Sequence, residues 1–497
     1  MFCKKIFVLL LQTLCLLPFY PVSAQFRDGA YEFTLKQVIA LAQTQSPDYQ
    51  RAKNQLNNSY WQYRNHLSRY KPQLTLNVDA PDISRTIIPV TQNSGLEAFR
   101  ERSLANSSAD LSLTQNIAPT GGTFFATSQL SRLDILGDES STSYLSYPVV
   151  VGIRQPVFGF NPLRWDARIE PKKYEEAKRI FTEDLEAISV KSTNLFFNLL
   201  LSQINLEISE KNAVNNDTIY KLAIKKYEIG KIAESELLQI ELNYLNAQQA
   251  RERAKLDNEI YTLQLKSFLS LEDPLNIMLI PPNEIPQIYI DEQKALAEAR
   301  KNRAKVITIQ RRLLEAEKEI AFAKGNSGFN MDINLSFGLT QSATTFTEAY
   351  RELQDQQRFQ LSFEIPILDW GRSKSAIKTA LSNQELVEAE AELAEREFEQ
   401  EIYLQVKQWN IYRQQLQSAV KADEIAQKRF EIAKERYLSG KIGITELNIA
   451  QNDREEAKYN YLSNLKNIWS AYYTIRLLTL FDFENSTVIE PNNGLKK

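Results

Sequence analysis

Histidine is almost missing from this 497-residue sequence, where His66 is the only one. Cysteine is nearly as scarce: Cys3 and Cys15 both fall within the first 24 residues. The two shortages remove the usual thiol–imidazole nucleophiles and the imidazole or thiolate metal sites. No Walker loop and no G-x-S-x-G is present either. Carboxylates are abundant, but runs such as Glu388 to Glu401 read as the solvated face of a helix rather than as an acid–base pair. His66 itself reads as a surface residue on a helix. The inventory therefore points away from an enzyme and implies no cofactor and no metal. Long apolar runs are also lacking. Beyond the N-terminus, nothing is apolar over the roughly 20 residues that a spanning helix needs, so this chain can cross a bilayer only as a closed β-barrel. The formal net charge of −3 gives no footprint for nucleic acid.

The first 24 residues read as a cleavable export signal: Lys4 and Lys5, an apolar stretch from Ile6 to Leu17, then Val22-Ser23-Ala24. Gln12-Thr13-Leu14 lacks the small residue that lipidation of Cys15 would require. Removing the segment takes the net charge to −5 and leaves a chain without cysteine, as suits an exported protein that needs no disulfide.

Glycine and proline are absent from two long stretches, Lys172 to Ile229 and the 68 residues from Arg372 to Ser439. A continuous helix over the second would reach about 100 Å, three times the span of a small domain. The two stretches are copies. Ala223, Tyr227, Gly230-Lys231-Ile232 and Glu236-Leu237 recur 210 residues later as Ala433, Tyr437, Gly440-Lys441-Ile442 and Glu446-Leu447, and Pro156 recurs as Pro366. The chain is a two-fold internal duplication. Residues 25–290 form the first repeat, with strands in 73–156 and a helical hairpin over 162–271. Residues 291–480 form the second, with strands in 331–366 and a hairpin over 371–480; a C-terminal tail occupies 481–497.

Ahead of each hairpin come two shorter helices and then strands. Thr34 is placed to cap a helix over 33–45, and Pro47 to open the next. The period then changes to two, with Leu74, Leu76 and Val78 alternating with polar residues. Residues 111–117 and 123–133 alternate around the turn Pro119-Thr-Gly-Gly122, followed by 147–155, 331–340 and 359–365. The polar stretches 84–108, 134–146 and 341–356 read as loops, and the proline-bearing 272–290 as a linker. Strands of about 9–11 alternating residues have the dimensions of transmembrane barrel strands. Four cannot close a barrel, because about eight is the smallest number used, so strands from several chains must be pooled.

This order, with Tyr-x-x-Gly-x-x-x-x-Ser/Thr-Glu-Leu twice (Tyr227 to Leu237 and Tyr437 to Leu447) and the Gln155-Pro156 and Ile365-Pro366 strand ends, resembles the TolC-like outer-membrane efflux proteins along essentially the whole mature chain. The resemblance implies an α+β membrane protein. Very long helical hairpins would form a trimeric α-barrel, and four strands per chain a trimeric transmembrane β-barrel. The extra strands at 109–133 either stand apart as an extracellular hairpin, the favoured reading, or enlarge the barrel to 18 strands.

The resemblance also implies a homotrimer in the outer membrane, extending into the periplasm and in contact with outer-membrane lipid. It would act as the passive exit channel of a tripartite efflux pump or type I secretion system, with a periplasmic adaptor and an inner-membrane pump as partners. Adaptor-docking tips would fall on Tyr227, Gly230, Lys231, Ser235, Glu236, Leu237, Tyr437, Gly440, Lys441, Thr445 and Leu447, and a periplasmic gate on Tyr437, Lys441 and Glu446. An acidic pair at the closed mouth of such channels falls on Glu446 and Ile449, so only one acid is present. A secreted coiled-coil scaffold is the competing reading; it explains the helices and not the strands.

Overall fold

A computed structural model describes residues 25–27, 30–91, 95–137, 140–271, 276–282, 286 and 288–490. The expected export signal, parts of the 272–290 linker (Pro274 among them) and the end of the tail lie outside them. In chain order the elements are β1 (Gln25–Arg27), β2 (Ala30–Phe33), α1 (Leu35–Gln45), α2 (Pro47–Ser68), β3 (Gln73–Thr91), β4 (Glu97–Ile117), β5 (Gly122–Leu136), β6 (Ser141–Val157), α3 (Pro162–Glu228) and α4 (Glu234–Leu269). There follow β7 (Ile277–Leu279), α5 (Glu292–Asn302), α6 (Ala304–Gly325), β8 (Asn330–Ala343), β9 (Gln354–Glu364), α7 (Arg372–Leu438), α8 (Ile444–Thr479), β10 (Phe481–Asp482) and β11 (Thr487–Val488). The duplication is exact in length where it matters: α3 and α7 have 67 residues each, α4 and α8 have 36 each.

The described residues form two compact units that cut across the repeats, one drawn from 25–54, 181–302 and 399–490 and the other from 55–180 and 303–398. In the first unit, Thr34 opens α1 with a reciprocal capping box: Gln37 N–H donates to its hydroxyl, and Thr34 N–H donates to the Gln37 side chain. Val38, Ile39 and Ala42 bury the apolar stripe that follows. Phe196, Phe197, Leu199 and Leu200 on α3 are fully buried, as are Leu265 and Leu269 on α4. The linker is not merely a connection, because β7 pairs parallel to β2, Tyr31 opposite Ile277. Gln203 on α3 holds β7 by both amide groups, donating to Ile277 C=O and accepting from Leu279 N–H.

The second unit contains an antiparallel sheet in the order β3-β4-β5-β6-β8-β9. Its register sorts the side chains cleanly. Leu74, Leu76 and Val78 lie opposite Leu113, Leu111 and Ala109; Phe124 and Ala126 opposite Ile153 and Val151; those two opposite Leu335 and Phe337; and Leu335, Ile333 and Met331 opposite Phe359, Leu361 and Phe363. The other face carries Thr75, Asn77, Ser112, Asp110, Arg154, Asn334, Asp332, Gln360 and Ser362. Most of the large apolar residues on the first face are exposed, among them Leu74, Leu76, Val78, Phe124, Phe337, Phe359 and Phe363.

Three expectations need correction. Residues 84–108 and 134–146 are largely strand, not loop: β3 and β4 continue in register from Asp82–Asn106 to Thr91–Glu97. Their outer ends carry charge on the face that is apolar lower down, where Arg85 pairs with Glu101. The side-chain alternation is lost there, yet the main-chain ladder persists. The extra hairpin does not stand apart, since β4 and β5 are full members inserted between β3 and β6, and the sheet has six strands per chain. His66 is buried rather than on the surface. It stacks on Tyr63 and meets Tyr70 edge-on, with Tyr174 stacked on Tyr63 at 5.0 Å.

Candidate functional site

Each long helix ends at a glycine in the left-handed region, Gly230 (φ +67°) and Gly440 (φ +71°). The hydrogen bonds match. Gly230 N–H donates to Tyr227 C=O and Lys231 N–H to Lys226 C=O, both at 2.8 Å; Gly440 N–H donates to Tyr437 C=O (3.0 Å) and Lys441 N–H to Arg436 C=O (2.9 Å). Residues with side chains strain in that conformation. A Cβ at either position would meet nothing within 4 Å, so backbone conformation and not space requires glycine.

The two turns are joined by a small core. Ala223 (α3), Ile240 (α4), Phe430 (α7), and Ile444 and Leu447 (α8) are buried together, with Ile219, Tyr220, Ile232, Leu237, Ala433 and Tyr437 packed around them. At about 1.5–3 kcal/mol for each large apolar side chain removed from water, a cluster of this size holds the two hairpins together. Cations cover its rim: Arg454 lies 4.0 Å from the Phe430 ring centroid and Lys226 Nζ 5.9 Å from that of Tyr437. Arg429 pairs with Asp453. Burial raises the Tyr437 phenol above its ordinary value, and the nearby Glu236 charge adds to the shift.

The repeat-related residues named from sequence take different positions here. Leu447 and Tyr437 belong to the core, whereas Tyr227 is exposed. Leu237 is half-buried beside the cluster. Glu446 accepts from Gly443 N–H at 3.2 Å and so caps α8, while Glu236 is exposed beside the other turn. Lys231, Ser235, Lys441 and Thr445 are exposed around the turns. Ile449 is exposed one turn beyond Glu446. Sequence reasoning missed Phe430, Ile444 and Arg454; the helical spacing of Phe430 to Ala433 and Tyr437 was the available signal.

Farther from the turns, an amide-rich cavity of about 620 Å³ opens between α3, α4 and α8. There Asn212 Nδ2 and Gln451 Nε2 both donate to Glu455 Oε1, at 2.5 and 3.0 Å. Among the described residues, no group of three or more His, Cys, Asp or Glu side chains is placed to hold a metal ion, and no helix is long and apolar enough to cross a membrane.

A family model described as "Outer membrane efflux protein" matches residues 38–270 and 295–479. No curated protein matches by sequence. Among solved structures, the fold is similar to that of the Campylobacter jejuni CmeC outer membrane channel (TM-score 0.66, 15% identity, covering 92% of this chain and 87% of that one). It is also similar to the Vibrio cholerae outer membrane protein VceC (TM-score 0.61, 12% identity, 90% and 95%) and to the open state of the Neisseria gonorrhoeae MtrE outer membrane channel (TM-score 0.61, 14% identity, 90% and 88%).

Proposed function

The chain belongs to the outer membrane efflux protein family, and on that footing we propose that it acts as a homotrimeric, passive exit duct of a tripartite efflux pump or type I secretion system. It is an outer-membrane channel that extends into the periplasm, and its family is one of channels rather than enzymes. The observation that carries the trimeric reading is the sheet: one uncovered apolar face, one polar face, and open edges at β3 and β9. Such a sheet is stable in lipid only when its edges are paired. A secreted coiled-coil scaffold would leave that apolar face in water.

The paired turns at Gly230 and Gly440 are the proposed adaptor-docking tips, and Tyr437, Lys441 and Glu446 the gate. In this reading an adaptor engages the exposed Lys231, Ser235, Lys441 and Thr445. Opening then works against a core of a few residues rather than a whole helix interface. The acidic, solvated run from Glu388 to Glu401 would line the lumen. Membrane fractionation with crosslinking tests the duct, and a periplasmic monomer that needs no detergent would end it. Gly230→Val and Gly440→Val test the tips: export is expected to be lost while outer-membrane trimers still form, and normal export in both variants would remove the tip assignment.

A further inference from the structure

One seam of the sheet lies within the chain, and its two halves occur a second time, apart. The internal seam joins the end of β6 to the start of β8, with Ile153 opposite Leu335, Gln155 opposite Ile333 and Val157 opposite Met331. The 210-residue repeat carries the end of β6 onto the end of β9, so that Ile153, Gln155 and Val157 correspond to Phe363, Ile365 and Ile367. The start of β8 has its own counterpart. Helices α2 and α6 both have 22 residues, begin 257 residues apart, and are each followed by a strand at the fifth residue, Gln73 or Asn330. Leu335, Ile333 and Met331 thus correspond to Val78, Leu76 and Leu74. Yet β9 and β3 are the two open edges of the sheet.

We infer that β9 of one copy pairs antiparallel with β3 of the next in the register of the internal seam: Phe363 opposite Val78, Ile365 opposite Leu76, and Ile367 opposite Leu74. This rests on the trimeric channel reading and deepens it. Three six-stranded sheets joined in this way close an 18-stranded barrel. Barrel diameter grows roughly in proportion to strand number, so the pore is about one and a half times as wide as twelve strands would make it.

Burial agrees with the missing neighbour. Ile153, Gln155, Val157, Met331 and Ile333 in the internal seam are half-buried and Leu335 is 42% exposed, whereas Leu74, Leu76, Val78, Phe363 and Ile365 are all exposed by more than half and Ile367 is 94% exposed. The connector beyond the seam repeats the contrast. Phe160 packs edge-on against Phe322 of α6, with ring centroids 5.2 Å apart, while its counterpart Trp370 is 90% exposed. The Phe322 counterpart is Asn65, so the same geometry sets Trp370 over the last turn of α2 in the neighbouring copy. The added hairpin cannot leave the barrel without breaking the β3–β4 and β5–β6 ladders that hold it on both sides.

Paired cysteines test the register, since Cys3 and Cys15 are the only native ones. Full-length protein in outer membranes would carry Leu76→Cys with Ile365→Cys, or Asn77→Cys with Glu364→Cys. Directly opposed residues alternate between about 4.5 and 5.5 Å in Cα separation, and both are within disulfide reach. Covalent dimers and trimers are expected from both matched pairs under oxidation, and at least tenfold fewer from Leu76→Cys with Leu361→Cys, which is four residues out of register. Electron microscopy of the unmodified trimer should count 18 strands. A trimer that has 12 strands, or that cross-links the mismatched pair equally well, overturns the inference and leaves the channel reading standing. Absence of any trimer overturns both.

Discussion

The two repeats share a backbone plan and differ in chemistry. Helix lengths, the left-handed glycines and the prolines at the strand ends match between them. The side chains at matched positions do not. Glu186 is buried on α3 and receives two hydrogen bonds from Arg476 on α8, at 3.0 and 3.1 Å. At the repeat positions stand Arg396 and Lys266, two cations, and Arg396 instead pairs with Glu392 on its own helix. Tyr437 sits in the tip core and Tyr227 in solvent. His66 is buried where the second repeat has Ala323. Duplication thus kept what sets the path of the chain, while the contacts between helices became asymmetric.

The largest test of the asymmetry is at Arg476. Its guanidinium also donates to Asp482 at 2.8 Å, tying the β10 segment to α8. Burial works against the Arg476 charge, but the Glu186 carboxylate more than offsets it and holds the pKa above the ordinary arginine value. Burial likewise pushes Asp482 up, yet hydrogen bonds from Asn485 and the Arg476 charge bring it below the ordinary aspartate value. Arg476→Met leaves the buried Glu186 carboxylate without its cation, while Asp482 keeps its hydrogen bonds from Asn485, and is expected to cost about 3–5 kcal/mol. Lys266→Met at the matched position should cost about 1 kcal/mol or less. Denaturant midpoints in detergent check both, and equal losses would erase the contrast. Because Asp482 is depressed when folded, its contribution is present above the ordinary value of 3.8 and is lost as pH falls through the folded value.

Next in size is the tyrosine pair. Tyr437→Ala removes a half-buried ring from the cluster of Phe430, Ile444 and Leu447, along with the surface over which Lys226 lies. A loss of about 1–2 kcal/mol is expected, with faster hydrogen exchange around Gly440. Tyr227→Ala should stay within about 0.5 kcal/mol, because that ring is exposed. A larger effect at Tyr227 would place the structural tyrosine in the wrong repeat.

What the sequence reveals follows from which interactions are local. Thr34 with Gln37, the glycine turns and the strands at 331–340 and 359–365 are legible because their causes lie within a few residues. The outer halves of β3 and β4 are not, since Arg85 and Glu101 interrupt the alternation although the ladder continues. Nor is the pairing of β2 with β7, which joins residues 246 apart in sequence. At the candidate site, the two glycine turns could be read directly. Which tyrosine is buried could not, because that depends on how four helices meet.

The smallest predicted effect concerns His66, whose aromatic surroundings come from three elements. Tyr63 and Tyr70 approach it from α2 and the turn that follows, and Tyr174 on α3 stacks on Tyr63. Burial lowers the imidazole pKa below 6.5; Glu170 and Asp166 oppose that shift, while Arg69 and Lys173 reinforce it. The folded state therefore holds fewer protons on this ring than the unfolded chain does, in the window just beneath 6.5. Stability must then decline as pH falls through that window and level off once pH is below the folded value. His66→Ala copies the second repeat and removes this dependence, at a pH-independent cost of about 1 kcal/mol for the lost ring contacts. Urea midpoints between about pH 7 and pH 5 should slope in the parent and flatten in the variant. An unchanged slope would mean that the histidine titrates freely and that its aromatic enclosure opens in solution.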